Sequence, residues 1–141
     1  MKTVTSILIL TVFLLAGCQN SYCPADSAQA ALDEIQILAE RWDDAMAVAQ
    51  STSRMALAGP ISDLQAIKRD TGALGVPECL EPAKTTLVKS MDYGIDGMIS
   101  FMGQDYDSII EFKFDLYDRN LNQFIREVAD IRSCLPKCKA P

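Results

Sequence analysis

Residues 108–135, SIIEFKFDLYDRNLNQFIREVADIRSCL, carry the pattern that decides the fold. Within them Ile110, Phe114, Tyr117, Leu121, Phe124, Val128, Ile131 and Leu135 recur in alternating steps of four and three. On an α-helix that spacing returns every one of these side chains to a single stripe, the arrangement of a helix packed at a shallow angle against neighbours. Phe112, Phe114 and Leu116 also alternate as a strand would, over Glu111 to Tyr117, but the helical register runs unbroken through both flanks and outweighs it. Ser108 and Glu111 have the spacing of a capping box, and Arg126 and Arg132 suit the electronegative end of the helix.

Upstream, the same period repeats. Leu80, Ala83, Leu87, Met91, Gly94, Met98 and Phe101 predict a helix from about Glu78 to Met102, with Gly103 as its stop. Leu57, Ile61, Leu64 and Ile67 predict a weaker one over Arg54 to Asp70, which Pro60 either starts or kinks because proline lacks a backbone donor. Thr71 to Pro77, with Gly72, Gly75 and Pro77, reads as a connecting loop. The first helix is expected to begin at Asp26 or Ser27 and run to about Gln50, with Leu32, Ile35, Ala39, Trp42, Met46 and Ala49 on one face. Ser51 to Ser53 forms the turn after it. Four helices joined by short loops predict an all-α fold, an up-down four-helix bundle. Gly94 and Gly97 each weaken their helix by up to about 1 kcal/mol relative to alanine, which close approach by a bulky neighbour such as Trp42 would offset; a ligand crevice is the alternative.

The amino end follows a different logic. Met1-Lys2 gives a positive start, Val4 to Leu15 is almost wholly apolar, and small residues then lead to Cys18. This is the layout of a secretory signal, and the run falls short of the ~20 residues a spanning helix needs. Leu15-Ala16-Gly17-Cys18 resembles the lipobox of bacterial lipoproteins at every position. The resemblance covers only the first eighteen residues or so. It implies that Cys18 is the lipidation site, alkylated with diacylglycerol, that cleavage falls between Gly17 and Cys18, and that the new amino terminus is acylated as well. Gln19, in place of Asp, resembles lipoproteins sorted to the periplasmic side of an outer membrane where the cell has one. The expected organisation is therefore a signal peptide over 1–17, a lipidated tether over 18–25, a helical bundle domain over 26–135 and a tail over 136–141.

Removing the first 17 of 141 residues leaves 124, enough for one core, and the loss of Lys2 takes the formal charge from −6 to −7. A nucleic-acid binder shows a basic stripe; none is present, so nucleic acid is excluded as a partner. The same acidity repels anionic headgroups, so the membrane is engaged through the anchor at Cys18 and not through a basic patch. Of five cysteines, setting Cys18 aside leaves Cys23, Cys79, Cys134 and Cys138. Four cysteines in an exported chain read as two disulfides, with three possible connectivities. A metal site is the competing reading, since Cys134 and Cys138 have tolerable ligand spacing, but the chain has no His and Cys23 and Cys79 are isolated singletons. In an up-down bundle the starts of the first and third helices and the end of the fourth share one pole. That places all four cysteines together, with Cys79–Cys134 and Cys23–Cys138 as the expected pairing.

The other pole gathers Met46, Met55, Met98, Phe101, Met102, Tyr106 and Phe112, a candidate interaction patch, because methionine-rich surfaces repack around different partners. Ile109, Phe112 and Leu116 make a second apolar stripe on the last helix, which either widens its buried face or remains exposed for a protein partner or apolar ligand. Without His, the common catalytic triads and dyads and the zincin motifs are ruled out, and no phosphate-binding glycine loop, nucleophile elbow or calcium loop occurs. Asp92 and Asp96 lie one turn apart and could hold a cation with other carboxylates, but charges off the apolar stripes read first as a solvated face. No catalytic residue, metal or cofactor is expected.

Arg41-Trp42-Asp43-Asp44-Ala45, Leu57-Ala58-Gly59-Pro60-Ile61 and Val76-Pro77-Glu78-Cys79-Leu80 are similar to segments of uncharacterised helical lipoproteins of bacteria. That likeness carries over no functional residues. The resulting expectation is a membrane-anchored, non-enzymatic module that engages an envelope protein partner. Two alternatives stay open: a binding protein for a small apolar molecule or lipid, with Trp42, Met91, Met98 and Phe114 lining a cavity in the core, and a carboxylate-metal enzyme.

Overall fold

The computed structural model describes residues 23–135; the expectations for residues 1–22, including lipidation of Cys18, and for the tail with Cys138 lie outside the described residues. Between these limits the chain is all-helical, without a strand. Its helices are α1 (Ala25–Ser51), α2 (Ala58–Ala73), α3 (Glu81–Gly103) and α4 (Asp107–Cys134), with single 3-10 turns at Arg54–Ala56 and Glu78–Leu80.

The helix ends depart from expectation for local reasons. Ser27 does not cap α1: its hydroxyl donates back to the Pro24 carbonyl (3.2 Å), and the helix starts at Ala25. Arg54 to Ala56 form a 3-10 turn ahead of α2, so Pro60 falls in the first helical turn, where a missing N–H leaves no bond unmade. The capping box Ser108-x-x-Glu111 does not form; Tyr106 flanks α4 without a side-chain cap, and Asp107 supplies the negative charge in the first turn. Gly103 is the last helical residue of α3, and the left-handed turn that stops the helix is made by Gln104 at φ 62°. A side-chain-bearing residue thus occupies a conformation that glycine would take with less strain.

Most of the expected core faces are buried as read. Ile35, Trp42, Met46 and Ala49 of α1 meet Leu57, Ile61, Leu64 and Ile67 at α2 and Ala83, Leu87, Met91 and Met98 of α3, and Leu32 is buried in a second, smaller core. Ile95 joins the larger core, Leu38 is buried as well, and Ala39 is only half-buried. Fully burying each large aliphatic side chain contributes about 1.5–3 kcal/mol before the entropy of ordering the chain is set against it. The stripe of α4 is the exception. Within the helix only Tyr117 and Phe124 are buried, and Phe114, Leu121, Val128 and Ile131 are partly open.

Uneven helix spacing explains this. On α3 the glycines bring α4 in: a Cβ built on Gly97 would stand 2.9 Å from Phe114 Cζ, and one on Gly94 would stand 2.8 Å from Met46 Cε, 3.0 Å from Trp42 Cζ2 and 3.2 Å from Tyr117 Cδ2. No methyl group fits at such distances without displacing a ring. The seam between α1 and α4 has no glycine at its centre, where Trp42 and Tyr117 stand with ring centroids 6.4 Å apart. Exposed ion pairs, Arg41 with Asp70 and Lys68 with Asp92, tie α2 to its neighbours and add little, about 1 kcal/mol at most.

Cys23 is bonded to Cys79, which corrects the expected Cys79–Cys134 and Cys23–Cys138 pairing. The 3-10 turn Glu78–Leu80 sets Cys79 against the start of α1, with Cα atoms 5.5 Å apart, and Leu80 packs with Cys23, Ala28, Leu32 and Leu135 in a small second core. Cys134 is disulfide-bonded as well. Among the described residues no helix is long and apolar enough to cross a membrane.

Candidate functional site

Three features stand out above the general packing: a polar pair in the core, an apolar pole, and a groove between α1 and α4.

The core pair joins Trp42 and Tyr117. The indole Nε1–H donates to the Tyr117 hydroxyl at 3.3 Å, and the Ser90 hydroxyl donates to the Tyr117 carbonyl at 3.2 Å. Burial pushes the Tyr117 phenol above its ordinary value; the bond from Trp42 opposes the shift, and the nearby Asp43 and Asp118 carboxylates add to it. The ring is therefore neutral at physiological pH, and the arrangement positions side chains without offering a base. Tyr117→Phe would strand the indole N–H, since Trp42 is only 1% exposed. A loss of about 1–3 kcal/mol in chemical denaturation is expected, with a fold unchanged by circular dichroism.

Asp43, one residue on, also has a raised pKa, because of desolvation first and then the Asp44 and Glu40 carboxylates. A carboxyl whose folded-state pKa is raised makes no difference below the usual aspartate range, where both states are protonated. Its destabilising effect grows as pH rises through the folded value and is complete above it. Asp43→Asn is therefore expected to raise the melting temperature at pH 7 and to leave it unchanged in strong acid. A gain of equal size at both extremes would refute the electrostatic cause.

The expected interaction patch divides. Met46 and Met98 are buried, at 4% and 3% exposure, and belong to the core, because Gly94 and Gly97 draw α4 over them. Met55, Phe101, Met102, Tyr106 and Phe112 are exposed, and Ile109 joins them. The second α4 stripe is exposed at its start, with Phe112 at 59% and Ile109 at 41%, and half-buried at Leu116. Arg54 lies over the Phe101 ring, 4.9 Å from its centroid. Lys113 donates to the buried Ser100 hydroxyl (2.8 Å) and so bridges α4 to α3 beside the patch.

Asp92 pairs with Lys68, and among the described residues no group of three or more His, Cys, Asp or Glu is placed to hold a metal ion. Of Trp42, Met91, Met98 and Phe114, the first three are buried, and the Phe114 ring fills the space above Gly97. Met98, Phe101 and Phe114 border an open hollow of about 170 Å³ with Ala49 and Gln50.

The groove was not legible in the sequence. It holds about 570 Å³ between α1 and α4, with Leu32, Ile35, Phe124 and Val128 as its floor. Gln36, Ile125 and Arg132 form the rim, and the small Ala39 and Ala129 keep it open. Ile125 lies next to Phe124, off the apolar stripe, so periodicity assigns it to solvent. Its one signal was an isoleucine standing between Gln123 and Arg126 on a polar face.

The chain matches no protein-family model, no curated protein and no solved structure.

Proposed function

We propose that this chain is a bacterial envelope lipoprotein whose helical bundle works as a non-enzymatic interaction module. The single observation that carries the module is the apolar pole of Met55, Phe101, Met102, Tyr106, Ile109 and Phe112. Tyr106 and Phe112, among the largest side chains of the chain, are more than half exposed there, where burial against a partner would be favourable. In the up-down arrangement this pole stands a full helix length from Cys23, roughly 40 Å for the 27 residues of α1.

Lipidation of Cys18 places the tether and the Cys23–Cys79 bond at the bilayer side, and leaves Cys138 as the sulfur for Cys134. The domain is then stapled twice at its membrane-facing pole, and its apolar pole is held out toward other envelope proteins. The second reading, a small apolar molecule inside the core, is disfavoured by how tightly Met46, Trp42, Tyr117 and Phe114 close over Gly94 and Gly97.

Two measurements test the proposal. Mass spectrometry of the mature protein should find residues 1–17 removed and Cys18 diacylated; an unmodified Cys18 removes the anchor from the account. A photoreactive residue placed at Phe112 in membranes of the producing cell should yield one discrete cross-linked protein partner that the same residue at Ile37, exposed on α1, does not. Identical products from both positions, or none from Phe112, would overturn the module.

A further inference from the structure

We propose that the groove between α1 and α4 is a binding site for a single-chain alkyl carboxylate, a free fatty acid. Phe124 and Val128 of α4 sit opposite Ile35 and Leu32 of α1, so the floor is hydrocarbon from both sides. A volume of about 570 Å³ falls in the range of small-molecule sites, about 300–1,000 Å³. The groove is a trough and not a chamber: it runs along α4 from Phe124 to Arg132, roughly 12 Å at the helical rise, and opens to solvent past Ala39 and Ala129. That shape takes one extended chain more readily than a ring system.

The headgroup is assigned by charge. Arg132 closes the end nearer the Cys23–Cys79 bond, and among the described residues its guanidinium has one polar partner, the neutral Gln36 amide oxygen at 3.1 Å. The two ion pairs that join helices among the described residues, Arg41 with Asp70 and Lys68 with Asp92, each set the cation against a carboxylate, which Arg132 lacks there. Arg132 therefore has its charge uncompensated beside an apolar trough on an acidic protein. A carboxylate at that end would receive charge-assisted, planar hydrogen bonds from the guanidinium, while the Gln36 amide keeps its own N–H on the Glu40 carboxylate at 3.0 Å. The alkyl chain would lie over Val128 and Phe124 and cover Ile125, whose exposure of 54% is otherwise unexplained. A cationic amphiphile lacks this match. This site is independent of the apolar pole: it lies on the opposite half of α4 and uses none of the same residues.

The test uses the full chain in a neutral maltoside detergent with a diazirine-tipped dodecanoate and, in parallel, the dodecanol bearing the same tip. Irradiation should attach the carboxylate probe to α4 between Phe124 and Ala129, in competition with unlabelled dodecanoate. The alcohol should label the same peptide at least tenfold less. Arg132→Met, an exposed substitution that leaves the floor intact, should reduce carboxylate labelling about tenfold and leave alcohol labelling unchanged. Ala129→Trp, which fills the trough, should abolish both. Equal labelling by acid and alcohol, labelling insensitive to Arg132→Met, or labelling centred elsewhere would overturn the assignment. So would a dimer in native mass spectrometry that protects Ile125 and is lost in Ile125→Glu, since a second copy would then occupy the groove.

Discussion

Replacing Gly94 by leucine is expected to lower stability by about 2–3 kcal/mol, the net of overpacking against a gain of about 1 kcal/mol in helix propensity. The steric cost is fixed by what surrounds the position. Even a Cβ would meet Met46 Cε at 2.8 Å, Trp42 Cζ2 at 3.0 Å and the Tyr117 ring at 3.2 Å. The methionine can swing aside, but the two rings are held by each other's hydrogen bond and by the tight α3–α4 contact, so the helices must separate. In a domain of this size such a loss lowers the melting temperature by about 10 °C or more. Gly72→Ala is the matched control. It is also helical, meets nothing within 4 Å, and is expected to gain about 0.5–1 kcal/mol. If both variants melt alike, α3 and α4 do not approach as closely as Gly94 and Gly97 require.

Removing the Cys23–Cys79 bond, by the double substitution Cys23→Ala and Cys79→Ala, is expected to cost about 4 kcal/mol. The bond spans 56 positions of sequence, and closing a loop of that length in the unfolded chain accounts for most of the figure. A domain of roughly 110 residues has only about 5–15 kcal/mol to lose, so the melting temperature should fall by some 15–25 °C. Cys23 is buried with Leu80 and Leu135, and local loosening where α1, α3 and α4 meet should accompany the loss. Hydrogen exchange would show this as faster exchange at Ala28, Leu32 and Leu80 than at Met91. Because Cys134 is disulfide-bonded too, a reducing agent acts on more than one bond, and only the double substitution isolates this one. An unchanged melting temperature would mean that the bond adds nothing to a bundle that packing already specifies.

The sequence by itself determined that four helices form and, with few exceptions, which side chains face inward, although the expected loop from Thr71 begins only after Ala73, where α2 ends. A period near 3.6 is imposed by the local backbone, and burial then follows the apolar side of each helix. An up-down order, expected from the short loops, also puts Cys23 and Cys79 near one another, and the two are bonded. Which cysteines joined was decided by the tertiary structure, because the choice depends on how the Glu78–Leu80 turn sits against α1 and not on spacing. The fate of the methionines was decided in the same way. Met46, Met98, Met55 and Met102 are indistinguishable by composition, yet the first two are buried because two glycines on α3 let α4 close over them, and the others lie beyond that contact. The groove exists for the complementary reason. Where α1 and α4 face each other with Ala39 and Ala129 between larger neighbours, each helix satisfies its own period and the space between them is left over, a property of the pair that neither stretch of sequence contains.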